Sequence, residues 1–486
     1  MNAPILIEEP ELEFGVGRHI DVRFGIMNRG AWGRGRPESP TSISLGVVGT
    51  TQSIEGILSW LCKCQGGIDA KQSKQPNLFP RFPGFGEESC FGCGIACDSR
   101  WQRAIRATDI ENLASCRSAD ELVEAAVALF LEEIRWLKEN TSVKAIVCAI
   151  PYRMLELMDR PATSPSPNED EDTPEVSSLH LDFRHLLKAK AMPLDRSVQL
   201  VLPSTYGQKM PKKSSARKDS QTDRALQDEA TRAWNFHTAL YYKGGGTPWR
   251  LTRDPNEFQT CYIGITFYRT LNAKSVASSL AQVFNERGDG IIVRGGEARL
   301  DKDDRTPHLL GEQIHDVVSK ALLRYRKEHG HLPARLVAHK SSSFDNGERE
   351  GCLAAIRSVG VDQVDLLSVS RSLTRLYRLG VYPPIRGTLL SLDAKHHLLY
   401  SRGSVQFFET YPGMYTPRPL QLRLEYGDQT PNYLAKEVLG LTKMNWNSTQ
   451  FDNSMPITLA AARQVGNVAK YIADTVEINP HYSSYM

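Results

Sequence analysis

Strand-length apolar runs set the frame for this chain. Ser42–Val48 (SISLGVV), Lys144–Ile150 (KAIVCAI), Val198–Leu202 (VQLVL) and Cys261–Tyr268 (CYIGITFY) are short and rich in Val and Ile. Runs of this kind suit strands buried on both faces, which need crossover helices to cover them. The sequence supplies those helices. One is predicted from about Ser53 to Cys64. A second follows the capping pattern Ser118-Ala-Asp-Glu121, with Val123, Val127, Phe130, Ile134 and Leu137 on one face. Leu179–Ala191 has helical spacing, and Thr222–Lys243 predicts a long helix stopped by Gly244-Gly-Gly-Thr-Pro248. The first half therefore reads as an α/β domain with a largely parallel sheet.

The second half restarts the pattern. Strands are predicted at Cys261–Tyr268, Ile291–Val293, Leu336–His339, Val364–Val369, Thr388–Leu392, Leu398–Ser401 and Leu420–Leu424. Helices are predicted at Leu309–His329, Glu348–Ser358, Tyr433–Leu441 and Ile457–Ala473. This is a second α/β unit with a mixed sheet, and no internal repeat is visible.

Composition excludes little else. The 486 residues are 41% apolar, enough for a sizeable core, and the longest apolar stretch of the early chain, Ala125–Leu131, falls far short of a membrane span of about 20 residues. Met1–Pro10 carries Glu8 and Glu9 and no basic leader pattern, which together with nine cysteines, an odd number, suits a cytoplasmic chain with reduced thiols. Cys62, Cys64, Cys90, Cys93 and Cys97 read as semi-buried thiols beside a loop, with a zinc site as the alternative. The net charge of +3 is too small to imply nucleic acid. It averages over an acidic stretch, Asp159–Ser178, expected to be a solvated loop, and a basic one, Tyr206–Arg224.

One constellation points to an anion. Arg184 and Lys188 are four residues apart on one predicted helix face, where like charges repel unless an anion lies between them. Gln199 in the next strand and Lys243 at a helix end complete a set of fixed charge and neutral donors suited to a phosphate.

LYYKGGGTPWRL (Leu240–Leu251) resembles the junction between the MID and PIWI domains of Argonaute proteins. IEEPELEF near the start, FPRFPGFG at Phe79–Gly86, LTKMNWN at Leu441–Asn447, PITLAAARQVG at Pro456–Gly466 and the closing HYSSYM fit the short prokaryotic branch of that family. The resemblance implies a Rossmann-like MID half, residues 1–250, followed by an RNase H-like PIWI domain, residues 251–486. It places Arg184, Lys188, Gln199 and Lys243 at the 5′-phosphate of a guide strand. Arg184 stands where relatives often carry Tyr or His, so charge pairing rather than base stacking is expected there. The terminal carboxylate of Met486 would hold a Mg²⁺ against that phosphate.

In slicing relatives, acidic residues hold two metal ions for phosphoryl chemistry. Here the matching positions are Thr266, in Gly264-Ile265-Thr266, and Ser341, after His339-Lys340; Ala460–Arg463 supplies no third ligand. A hydroxyl brings no charge to a metal bridge. The expectation is a catalytically inactive PIWI domain, with a nuclease using other acids, Asp345 among them, as the alternative. Arg269, Arg371, Arg375 and Arg378 are the leading candidates for a nucleic-acid groove, with Lys274, Arg294, Arg299 and Arg386 behind them and Tyr377 placed to stack. The resemblance further implies a guide RNA, a single-stranded DNA target and a partner chain in which an APAZ region carries a Sir2 or TIR NAD-hydrolysing domain, switched on by invading DNA.

Overall fold

The computed structural model describes residues 3–158, 181–207, 227–252, 258–271, 276–284, 290–300, 306–377, 383–413, 416–451, 453–472, 479 and 481–486; in strands 276–284 and 290–294, Ile292 apart, it describes the backbone alone. The expected loop at 159–178, most of that at 206–224, and Arg378 and Lys274 lie outside these residues. The chain divides into two units. One is formed by residues 34–72 and 79–246, the other by 1–33, 73–78 and 247–486.

The first unit is built on a parallel sheet. Its strands lie in the order Gly94–Ala96, Ser42–Gly49, Ala145–Ala149, Ser197–Val201, and Gln102–Ala104 also pairs with Ser42–Gly49. Helices Thr51–Gln65, Ala119–Asn140, Phe183–Ala191 and Glu229–Lys243 connect and cover it. The 4-3-4-3 spacing is borne out, since Val123, Val127, Phe130, Ile134 and Leu137 are all buried. Ser118 caps the Glu121 amide at 3.1 Å, but the Glu121 carboxylate reaches back to the amide of Arg117, one residue before the expected partner. The last helix runs from Glu229, where Asp228 caps the amide of Thr231; the predicted start at Thr222 lies outside the described residues.

FPRFPGFG has a packing role. Phe82 and Phe85 stack around the buried ring of His237, with centroids 4.8 and 5.1 Å away, and the Arg81 carbonyl accepts from Trp234. Burial holds the His237 imidazole down at about 4, so it is neutral and donates from Nδ1 to the Ala233 carbonyl. This aromatic cluster clamps helix Glu229–Lys243 and so fixes where its last residue points. The three glycines that follow each answer a local demand. A Cβ on Gly244 would lie 2.6 Å from Ile43, Gly245 has φ +99°, and a Cβ on Gly246 would strike the Tyr241 ring at 2.4 Å.

The second unit carries a mixed nine-stranded sheet in the order Ile5–Leu6, Thr388–Ser391, His396–Leu399, Leu420–Tyr426, Gln363–Arg371, Arg335–Lys340, Thr260–Arg269, Val276–Phe284, Gly290–Glu297. Only the pairs flanking Arg335–Lys340 are parallel. Strand Val276–Phe284 has no counterpart in the sequence reading. Its VASSLAQVF pattern has no clean period, and it is defined by the two antiparallel neighbours it bonds to. Helices Gly311–His329 and Asn346–Val359 cover one face. Helix Ile457–Ala469 covers the other, so closely that a Cβ on Gly264 would lie 2.1 Å from the Thr458 carbonyl.

Residues 1–33, expected in the first half, belong to this second unit. Ile5–Leu6 pairs with Thr388 and Leu389, and Leu12–Phe14 pairs with Arg250–Leu251. The motif IEEPELEF supplies the anchor. Glu9 lies 2.9 Å from Arg386 and 2.8 Å from Lys443, whose ammonium also donates to the Pro10 carbonyl at 2.6 Å. Burial works to raise the Glu9 carboxyl, yet the two cations prevail and hold it below its ordinary value. Arg386 is thus a buried structural cation, not a groove residue, with further donations to Ser401 and Thr442. Glu9→Ala leaves two buried cations without their carboxylate and should destabilise this unit by about 3 kcal/mol or more. The exposed Glu8→Ala should do almost nothing; urea unfolding midpoints of the two variants check this.

Candidate anion-binding site

Three cations of the parallel-sheet unit act on one another. Helix Phe183–Ala191, capped by Asp182 at the His185 amide, carries Arg184 at its exposed side and Lys188 four residues on, only 2% exposed. Helix Glu229–Lys243 delivers Lys243, 6% exposed, whose ammonium donates to the Val198 carbonyl at 3.1 Å and to the side-chain oxygen of Gln199. Burial first, then the charges of Arg184 and Lys243, push the Lys188 ammonium well below its ordinary value. Burial and Arg184 draw Lys243 down to about 7. The four residues singled out in the sequence are therefore brought together: Arg184, Lys188 and Lys243 through their charges, Gln199 through its bond to Lys243.

Asp182 acts on Lys188 in the opposite sense, and a phosphate bound among these like charges would offset their mutual repulsion. The same donor set does not fit a divalent cation, because three ammonium and guanidinium groups repel it and none can ligate it. The Mg²⁺ expectation thus rests on the carboxylate of Met486, which lies in the other unit. Met486 itself is buried, and the preceding Tyr485 carbonyl accepts from Gln464 at 3.3 Å.

In the mixed-sheet unit, Ile265 pairs with Lys340 and the amide of Ser341 donates to the Ile265 carbonyl at 3.1 Å. Thr266 and Ser341 therefore sit side by side at the carboxyl ends of adjacent parallel strands. Side chains alternate along a strand, so both share the face of Gly264 and His339, beneath helix Ile457–Ala469. His339 bonds Thr458 at 2.9 Å, and burial holds its imidazole neutral, down at about 3.

Among the described residues, one group of three or more possible metal ligands has atoms within 4.8 Å of one another: His308, Asp345 and Glu348. It was not legible in the sequence, since His308 lies 37 and 40 residues before Asp345 and Glu348. It lies on the opposite face, where Lys340 already occupies it with an ammonium 2.6 Å from Glu348. Asp345 caps helix Asn346–Val359 and pairs with Arg299 at 3.0 Å. The group is a satisfied ion-pair network with its cation built in. The five cysteines form no such group among the described residues. Burial lifts the Cys90 and Cys93 thiols to about 12 and that of Cys97 to about 11, as expected of inert thiols.

Of the groove candidates, Arg269 is exposed at the end of its strand, Arg371 bonds Ser454 at 2.8 Å, and Arg375 turns back onto the carbonyls of Ser372, Leu373 and Thr374. Arg299 is paired, and the Arg294 side chain lies outside the described residues.

Lys243→Met should remove charge repulsion together with anion affinity, so the variant should be more stable than the parent by about 1 kcal/mol at neutral pH. The wild-type penalty is full below about pH 7 and is relieved as pH rises toward the ordinary lysine range, because the unfolded chain then binds more protons than the folded one. The stability gain of Lys243→Met should therefore shrink between pH 7 and pH 10, which thermal unfolding at a series of pH values checks.

No family model matches the chain, and no curated protein matches it in sequence. Solved structures do match in fold. Clostridium butyricum Argonaute, bound to a guide DNA and a 19-mer target DNA, is similar with a TM-score of 0.63 at 16% identity, over 99% of this chain and 54% of that one. Drosophila Piwi is similar with a TM-score of 0.60 at 13% identity, over 99% and 56%. Marinitoga piezophila Argonaute, in complex with a 5′ OH guide RNA, is similar with a TM-score of 0.57 at 10% identity, over 99% and 59%. The chain spans little more than half the length of the structures it matches. Over nearly its whole length it carries the fold these Argonaute and Piwi structures share, a Rossmann-like unit and an RNase H-like unit.

Proposed function

We propose that this chain holds the 5′-phosphate of a guide strand, presents the guide to a complementary strand, and does not cut it. The observation that carries this is the buried cluster of Lys188 and Lys243 with Arg184 and Gln199. Charge-assisted hydrogen bonds to phosphate are strong, and each is worth about 1.5–3 kcal/mol. Two of the structures similar in fold were solved with guide strands, one of DNA and one of RNA. The guide here is proposed to be RNA and the target single-stranded DNA, as the sequence resemblance implies.

Thr266 and Ser341 support the proposed absence of cleavage. The two neighbouring hydroxyls bring no charge to neutralise a pair of divalent ions. The alternative nuclease would need Asp345 or Glu348, which are engaged with Arg299 and Lys340 on the other face of the sheet. Target recognition is proposed to act instead on a separate APAZ-containing chain with a Sir2 or TIR NAD-hydrolysing domain. No Gly-rich dinucleotide fingerprint precedes a helix in this sequence, which supports placing that activity elsewhere.

A 5′-phosphorylated guide should bind about 100-fold or more tightly than the same strand with a 5′-hydroxyl, and Lys188→Ala with Lys243→Ala should erase the difference. Equal affinity for the two guides in filter binding contradicts the pocket. Labelled complementary DNA should remain intact in the presence of guide-loaded protein with Mg²⁺ or Mn²⁺; a discrete cleavage product contradicts the assignment of an inactive site.

A further inference from the structure

The central strand of the mixed sheet ends early. Lys340 closes it, paired with Ile265 on one side and Ser368 on the other. The neighbouring strands run on to Arg269 and Arg371, four and three residues further. At about 3.3 Å per residue the two edges stand roughly 10–13 Å beyond Lys340. A notch results at the carboxyl ends of three parallel strands, the place where open α/β sheets bind ligands.

The loop Ser372–Tyr377 rises from one edge of that notch, and its polar groups are spent on holding its own shape. Ser372 is buried, its amide donates to the Pro419 carbonyl at 3.0 Å, and its hydroxyl accepts from the Thr374 amide at 3.1 Å. Arg375 donates to the carbonyls of Ser372, Leu373 and Thr374, at 3.2, 3.0 and 3.2 Å. The Leu376 amide donates to the Tyr400 hydroxyl at 2.8 Å. This internally braced turn presents Leu373 at 88% exposure and Tyr377 at 73%. From the opposite edge, Arg269 is exposed and Leu271 is 39% exposed.

A single exposed leucine is ordinary on a protein surface. A leucine 88% exposed in a turn held by six hydrogen bonds, between Arg371 and Arg375 in the chain and just past the strand that edges the notch, is a different matter. Basic flanks suit a phosphate backbone, and apolar side chains on such frames insert between base steps.

We infer that Leu373 is a wedge that unstacks one base step of the guide–target duplex, with Tyr377 as a stacking platform beside it. This rests on the guide-binding reading above and adds a specific contact to it.

The test uses full-length protein saturated with 5′-phosphorylated guide RNA and with complementary DNA in which 2-aminopurine is moved one position at a time. The expected result is a rise in emission confined to one or two neighbouring positions, lost in Leu373→Ala and retained in Leu373→Met. A flat scan from saturated complexes, or a peak unchanged in Leu373→Ala, overturns the wedge while leaving the phosphate pocket intact, and points to a protein as the occupant of the loop. Failure to load any guide overturns both readings.

Discussion

Repulsion between buried cations is the constraint on which the functional half of this structure depends. Lys188 and Lys243 are both out of water, and Arg184 adds a third charge. Taking an ammonium out of water costs several kcal/mol unless an opposite charge is at hand. The fold bears that cost through its packing. The aromatic cluster of Phe82, Phe85 and Trp234 around His237 fixes helix Glu229–Lys243, and the glycines after it let the chain turn away without displacing Lys243. The surrounding core sets the geometry of this cluster.

The mixed-sheet unit solves the opposite problem. Its buried charges are paired within the protein: Glu9 with Arg386 and Lys443, Arg335 with Asp365 and Glu437, Lys340 with Glu348. These networks fix the N-terminal arm, the base of the central strand and the helix that follows it. Lys340 occupies the one carboxylate and histidine group able to hold a metal ion among the described residues, while the face bearing Thr266 and Ser341 presents hydroxyls and a neutral imidazole. In the parallel-sheet unit Arg184, Lys188 and Lys243 act on one another through their charges, whereas the buried cations named in the mixed-sheet unit each face a carboxylate.

Much of this was legible in the sequence because local rules carried it. The strand runs, the spacing from Val123 to Leu137 and the stop at Gly244 were each settled within a dozen residues. The candidate phosphate residues were legible because Arg184 and Lys188 share a helix face. What the sequence concealed was non-local. Glu9 and Lys443 are 434 positions apart, and nothing near Arg386 distinguishes a buried ion pair from a surface charge. Residues 1–33 crossed to the second unit for the same reason, since Ile5–Leu6 is a two-residue strand whose only signal is its partner. The motifs IEEPELEF, FPRFPGFG and LTKMNWN each take part in packing or ion pairs made with distant residues.

Guide binding as proposed requires that Lys243 be held ready for an anion. The most direct measurement is the titration of its ammonium, followed by NMR in protein carrying labelled lysine, without and with a 5′-phosphorylated oligonucleotide. A midpoint near 7 in the free protein, moving up toward the ordinary lysine range when the oligonucleotide binds, is the predicted result. An ordinary lysine midpoint in the free protein, unmoved by a 5′-phosphate, would contradict it.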